Sequence, residues 1–116
     1  MYDFEKLVVW QKSMDLSEEV YKLVKKLPHS EIFALSDQLK RAVNSIPLNI
    51  AEGCGTKSKK DRLRYQEIAL KSLYETICAL KLAERLHKVR IDEVLLKCNE
   101  VNRLLHGFIK SLSLGC

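Results

Sequence analysis

The stretch Gln38 to Gly53, QLKRAVNSIPLNIAEG, carries two helical stripes at once. Leu35 just before it, then Leu39, Ala42, Val43, Ile46 and Ile50, recur at steps of three and four, which puts them on one face of a helix. That is a core face. On its flank Gln38, Arg41, Ser45, Asn49 and Glu52 also fall at helical spacing, so a ribbon of hydrogen-bonding groups runs beside the apolar stripe. Groups so placed need partners: one another, Ser72 and Glu75 further along the chain, or another subunit. A satisfied network of this kind fixes helix register. The ribbon has no histidine or cysteine at matching spacing, and its one hydroxyl has no general base beside it by pattern. No catalytic constellation is therefore assigned, and the expectation is a protein that is not an enzyme.

Working outward, the segment from about Glu5 to Leu27 reads as the first helix. Leu7, Trp10, Met14, Tyr21 and Val24 make one apolar stripe, and Val9, Leu16, Val20, Leu23 and Leu27 make a second beside it. Together they cover roughly 200° of the circumference, twice the ~100° of an ordinary surface helix. A helix so widely apolar buries two faces, one in its own bundle and one against another subunit, with Leu7, Trp10, Met14 and Tyr21 as the interface candidates. Pro28 closes this helix. His29 or Ser30 is placed to cap the second, with Glu31 near its positive end. Pro47 lies inside the second helix, where it removes a donor and crowds the carbonyl of Val43.

The third helix is expected to start after Ser58, with Asp61 three residues on, and to run to about His87. Leu63, Leu70, Leu73, Tyr74, Ile77, Leu80, Ala83 and Leu86 supply its apolar contacts, and Glu67–Lys71 and Glu84–Lys88 are potential i,i+4 ion pairs. In the last helix Val94, Cys98, Val101, Leu105, Phe108 and Leu112 alternate steps of four and three, the seam of left-handed bundle packing. Gly107 interrupts it, which points to a close neighbour. The 116 residues, 47% hydrophobic and 30% charged with 4 glycines and 2 prolines, leave little for loops and show no strand patterning. The fold expected is all-α, an antiparallel up-down-up-down four-helix bundle in a single domain over residues 1–116.

The net charge of +5 is uneven: residues 57 to 90 hold ten basic side chains against four acidic ones, the rest of the chain ten against eleven. The run KSKKDRLR, Lys57 to Arg64, places basic charge at a helix N-terminus, which the helix dipole disfavours. Phosphate contact is the reading this suggests, through Lys57, Lys59, Lys60, Arg62 and Arg64 together with Lys81, Arg85, Lys88 and Arg90, and the partner is RNA or DNA. The bland reading is a solvated surface that keeps the protein in solution, or one that meets an acidic protein partner.

Three histidines and four cysteines (Cys54, Cys78, Cys98, Cys116) show none of the close spacings of a zinc site, so no metal and no cofactor are expected. No export signal opens the chain, and no apolar run approaches the ~20 residues of a membrane span. The cytoplasm is the compartment expected, without membrane association.

QLKRAVNSIPLNIAEG followed by IALKSLYE, Ile68 to Glu75, resembles the four-helix-bundle family of proteins encoded by intervening sequences in bacterial 23S ribosomal RNA genes. Phe4-Glu5-Lys6-Leu7 with Trp10-Gln11, and Leu27-Pro28 with Glu31 and Leu35, fit the same pattern over nearly the whole chain. The family often has glycine before the serine of the third helix, where this chain has Lys71 before Ser72. A relative in fold is the accessory variability determinant of diversity-generating retroelements. The resemblance implies a closed homo-oligomeric ring of five subunits, acting as a nucleic-acid-binding or ribonucleoprotein accessory protein. The alternative it leaves is a protein-interaction scaffold that docks a partner such as a reverse transcriptase without touching nucleic acid itself.

Overall fold

The computed structural model describes residues 1–114; Cys116 lies outside them. Its four helices are α1 (Val8–Val24), α2 (Leu35–Cys54), α3 (Lys59–His87) and α4 (Asp92–Leu114), with short 3-10 turns at Asp3–Lys6 and His29–Glu31. There is no strand among the described residues.

The expected first helix is divided. Leu7 takes an extended conformation (φ −75°, ψ 127°) between the Asp3–Lys6 turn and α1. Glu5 holds that turn by accepting the backbone N–H of Tyr2 at 2.6 Å, and Phe4 meets the Trp10 ring edge-on with centroids 5.1 Å apart. The N-terminal segment thus folds back onto α1.

His29 and Ser30 do not cap α2. Pro28 stands before a separate 3-10 turn, and α2 starts at Leu35 after Ala34, with no side-chain cap. Glu31 still serves the start of the helix, because its carboxylate accepts the Leu35 backbone N–H at 3.4 Å. Inside α2, Pro47 has no N–H for the carbonyl of Val43, and that oxygen instead accepts the Ser17 hydroxyl of α1 at 3.4 Å. At the start of α3 the Ser58 hydroxyl accepts the Asp61 backbone N–H at 3.2 Å, the cap its spacing predicts. Lys88 ends α3 in the left-handed region, φ 57°.

Each helix packs on its neighbours in sequence, and α1 packs on α4, so the four close a ring around one core; α2 and α3 share the largest contact. Leu7 of α1's entry, Gly53 of α2, Arg62 of α3 and Phe108 of α4 line one cavity at one end. At the other end Leu23 and Lys26 meet Arg90 and Val94, and His87 meets Glu31. Starts and finishes alternate at each end, so successive helices run in opposite directions along a body of 47 × 24 × 23 Å.

The core is built from Leu16 and Val20, from Leu39, Val43, Ile46 and Ile50, from Leu73 and Leu80, and from Val101 and Leu105, all fully enclosed. Burial of this kind contributes about 25 cal/mol per Å² of apolar surface. On α1 the second apolar stripe faces this core, whereas Leu7 and Trp10 of the first are partly buried and Met14 and Tyr21 are exposed.

Several expectations are corrected. Tyr74 and Leu86, assigned to the apolar side of α3, are exposed. The Glu67–Lys71 and Glu84–Lys88 pairs do not form; Lys88 has already left the helix, so its side chain is no longer on Glu84's row. Within helices the ion pairs present are Glu19–Lys22, Asp37–Arg41 and Asp61–Arg64. Gly107 has no neighbour within 4 Å of where a β-carbon would stand, and the tightly approached glycine is Gly53.

Candidate nucleic-acid interface

α3 has 29 residues and, at 1.5 Å per residue, is about 43 Å long. Its buried residues Ala69, Leu73, Thr76, Leu80 and Ala83 share one side. Taking about 100° per residue, Lys60, Arg64, Lys71, Lys81 and Arg85 all fall within about 60° of one line on the opposite side. All five are exposed. Tyr74 and Cys78 lie on the same face, and Glu67 and Glu75 interrupt it. The sequence reading treats Lys57–Arg64 and Lys81–Arg90 as two clusters; in the structure they stand at opposite ends of the bundle, about 38 Å apart from Lys60 to Arg85. Lys71, which that reading does not assign, sits between them on the same face.

The assigned basic residues are not equivalent. Lys57, Lys60, Lys81, Arg85, Lys88 and Arg90 are exposed. Lys59 donates to the backbone carbonyl of Ser113 at 3.0 Å, tying the end of α4 to the start of α3. Arg64 pairs with Asp61 at 3.8 Å and lies over the Tyr65 ring, 4.9 Å from its centroid. Arg62 is different. It points about 200° away from Lys60, toward the bundle, where its Nε is buried with no hydrogen-bond partner and the side chain lines the cavity with Gly53, Cys54, Gln66 and Phe108.

Gln66, absent from the sequence reading, is fully buried on that inward side and donates its amide to the carbonyl of Ile50 at 3.2 Å, while its Oε1 has no partner. Its position one turn after Arg62 and on the face of Ala69 and Leu73 is the signal that marks it as interior.

The polar ribbon of α2 forms in part. Ser72 donates its hydroxyl to that of Ser45 at 2.9 Å, and Asn49 donates to the Ser45 carbonyl at 2.8 Å and hydroxyl at 2.9 Å. Thr76 extends the chain by donating to the Ser72 carbonyl at 2.8 Å. Gln38, Arg41, Glu52 and Glu75 are exposed and do not join it; Arg41 turns to Asp37 at 3.6 Å. The network therefore links α2 to α3 through hydroxyls and one amide.

Two of the interface candidates, Trp10 and Met14, border an apolar groove between α1 and α2, lined also by Phe4, Pro47, Leu48 and Ala51, with Leu48 61% exposed. Leu7 instead points to the end cavity, and Tyr21 accepts a hydrogen bond from Asn44 at 2.7 Å with Lys40 over its ring.

Cys54 and Cys78 are exposed and Cys98 is buried; burial pushes the Cys98 thiol up to about 12, and it also raises that of Cys54. Cys98 is an apolar filler of the α4 seam. Glu31 and His87 meet at 2.6 Å across the α3 end, and the hydrogen bond from His87 holds the Glu31 carboxyl below its ordinary range. Among the described residues no helix is long and apolar enough to cross a membrane.

Residues 5–107 match the family model of the 23S rRNA-intervening sequence protein. The fold is similar to a crystal structure of a protein of the S23 ribosomal protein family from Bacteroides thetaiotaomicron, described as of unknown function, at 31% identity. That likeness has a TM-score of 0.81 and covers 89% of this chain and 99% of the other. No curated protein matches the chain.

Proposed function

The chain belongs to the family of 23S rRNA-intervening sequence proteins, and from that premise we propose that it is a non-enzymatic, cytoplasmic accessory protein that binds nucleic acid. The exposed face of α3 lies along an RNA or DNA backbone. The observation that carries this reading is the alignment of Lys60, Arg64, Lys71, Lys81 and Arg85 on one exposed side of a helix about 43 Å long. At about 3.4 Å per base pair that length matches about 13 base pairs of phosphates. Basic side chains spaced along a rod suit backbone contact without base readout.

Copies join through the apolar groove of Trp10, Met14, Pro47 and Leu48 into a homo-oligomeric ring, of five subunits as the resemblance implies, which repeats the basic face around its outside. Titration of labelled RNA and DNA duplexes of about 13 base pairs at two salt concentrations tests the binding, with an expected log–log salt slope of about −4.5 per protomer for five contacts. Absence of binding at low salt, or binding indifferent to salt, overturns it. Light scattering tests the ring.

The same groove supports a second reading, a scaffold that docks a protein such as a reverse transcriptase. Charge reversal at Lys60, Arg64, Lys71 and Arg85 separates the two, because a scaffold keeps a non-acidic partner when those charges are reversed.

A further inference from the structure

We propose that the cavity at the end of the bundle where α2 gives way to α3 binds a small neutral molecule by a cis-amide edge: a lactam, of which a pyrimidine base such as uracil is one. The inference is independent of the nucleic-acid reading, since the basic face of α3 lies on the opposite side of that helix.

The cavity holds about 210 Å³, and every helix contributes to it: Leu7 at the entry to α1, Gly53 at the end of α2, Arg62 and Gln66 on α3, Phe108 and Leu112 on α4. Its wall is mostly apolar, yet two polar groups in it are unsatisfied. Among the described residues, Arg62 Nε is buried with no acceptor and Gln66 Oε1 is buried with no donor. Gln66 as a whole is fully enclosed. Folded proteins leave few buried polar atoms in this state, and here a donor and an acceptor line the same cavity. The orientation of the amide is set by its surroundings. The Ile50 carbonyl can only accept, so the Gln66 nitrogen faces it at 3.2 Å and Oε1 is the atom left over.

Four residues apart on α3, the two groups are neighbours on one helix face. Their complement is a carbonyl beside an N–H on one rigid edge. The ligand's carbonyl accepts from Arg62 Nε–H, and its N–H donates to Gln66 Oε1. Lactams carry that edge. A carboxylate suits the site less, because it answers Arg62 but sets a second oxygen against Oε1. Charge argues the same way, since Asp3 lines the cavity with a sign opposite to that of Arg62. Both act on Cys54 in the same wall: burial raises its thiol most, Asp3 raises it further and Arg62 lowers it. A site whose two charges offset each other favours a neutral ligand over an ion.

Water is the competing occupant. At about 30 Å³ per molecule the cavity takes about seven, and most of them would face leucine and phenylalanine rather than a polar atom. Replacing weakly held water by an apolar ring gains affinity. The volume lies below the roughly 300 Å³ at which drug-sized sites begin, so one ring is the size that fits.

Nuclear magnetic resonance tests the site through the Arg62 Nε–H and Gln66 side-chain amide signals. The unaltered protein is titrated with δ-valerolactam, with uracil, and with N-methyl-δ-valerolactam, which keeps the carbonyl but has no N–H. The first two should saturate these signals with a Kd of about 1 mM or tighter, and the N-methyl compound should bind about tenfold or more weakly. Arg62→Met and Gln66→Met each remove one partner and should weaken both lactams by about tenfold or more, with urea unfolding to check the fold. Gln66→Met also loses the bond to Ile50; the N-methyl control and Arg62→Met stand without it. A tetrauridine strand separates the two sources of the edge. Shifts of the same signals at lower concentration than with free uracil assign it to an unpaired base in a strand, and no shift assigns it to a free molecule. No response to either lactam up to about 10 mM, equal affinity for the N-methyl compound, or undiminished binding by Arg62→Met would each overturn the site and leave a cavity filled by water.

Discussion

The side-chain amide nitrogen of Gln66 occupies the space that a β-carbon on Gly53 would fill, and from there it reaches the carbonyl of Ile50 at 3.2 Å. The Cβ of Tyr65 and the carbonyl of Arg62 close the same space at 3.2 and 3.3 Å. The last turn of α2 therefore lies against the first turns of α3 with no room for a methyl group. Alanine at a helical position gains about 1 kcal/mol over glycine in propensity. Here it also displaces a buried, hydrogen-bonded amide and presses on backbone, and such overpacking costs about 1–3 kcal/mol with a further ~1 for the lost bond. Gly53→Ala is expected to lower stability by about 1–3 kcal/mol in urea unfolding. An unchanged or raised midpoint would show that the two helices do not approach this closely.

The pair Glu31–His87 makes stability depend on pH in a stated direction. The bond from His87, then that from the Leu35 N–H, holds the Glu31 carboxyl below its ordinary 4.5. A carboxyl with a lower pKa folded than unfolded contributes stability that is fully present above the unfolded value and is lost as pH falls through the folded one. The unfolding midpoint should accordingly drop below about pH 4.5 in the unaltered protein. His87→Ala removes the main cause, so its midpoint should start lower near pH 6 and fall less steeply in acid. Parallel acid profiles for the two proteins would dismiss the pair as a contributor.

What could be read from the sequence, and what could not, divides along physical lines. Three-and-four spacing located all four helices, because burial of one face is written into apolar periodicity; the seam from Val94 to Leu105 is buried throughout. Ser58 was readable as a cap because a cap is a local bond. The start of α2 was misplaced because Glu31 reaches it from four residues away, beyond a separate turn, and such a reach is not a local pattern. Gln66, which the sequence reading leaves unassigned, and Arg62, which it assigns to phosphate contact, differ from it for another reason. A polar residue type alone suggests solvent, yet the helical phase of both groups them with Ala69 and Leu73, and only the bare surface of Gly53 makes room for an amide there. Of the polar ribbon, the short side chains Ser45 and Asn49 reach the α2–α3 contact, while the long ones, Arg41 and Glu52, extend to solvent.

The α2–α3 hydroxyl bond should be measurable as coupling. Ser72→Ala removes a donor to Ser45 but leaves that hydroxyl its partner in Asn49, so the expected cost is about 0.5–1.5 kcal/mol. Ser45→Ala takes away the acceptor for both. In a double-mutant cycle the two should couple by at least about 0.5 kcal/mol, whereas Arg41→Ala and Glu52→Ala, exposed and outside the network, should each stay within about 0.5 kcal/mol of the unaltered protein. Additive Ser45 and Ser72 effects would mean that the hydroxyls do not hold the helices in register.

Arg62 and Arg64 stand two residues apart in one basic run and should nonetheless behave oppositely. Arg64 lies on the exposed face of α3 with Lys60 and Lys71, so Arg64→Gln removes one phosphate contact and should reduce the salt slope of duplex binding by about 0.9 without loss of fold. Its ion pair with Asp61, at 3.8 Å on an exposed surface, is worth at most about 1 kcal/mol. Arg62 is turned inward and only partly exposed, its Nε enclosed beside Gln66 and Phe108, so it stands off the line of Lys60, Arg64 and Lys71 along which a phosphate backbone would run. Arg62→Gln should leave the salt slope unchanged and register instead as a shift in the urea midpoint. Because the unpartnered Nε already carries a desolvation cost, the neutral amide is expected to be tolerated or mildly stabilising, by up to about 1 kcal/mol. Equal loss of salt slope from both replacements would place the two arginines on the same surface and contradict the inward turn of Arg62.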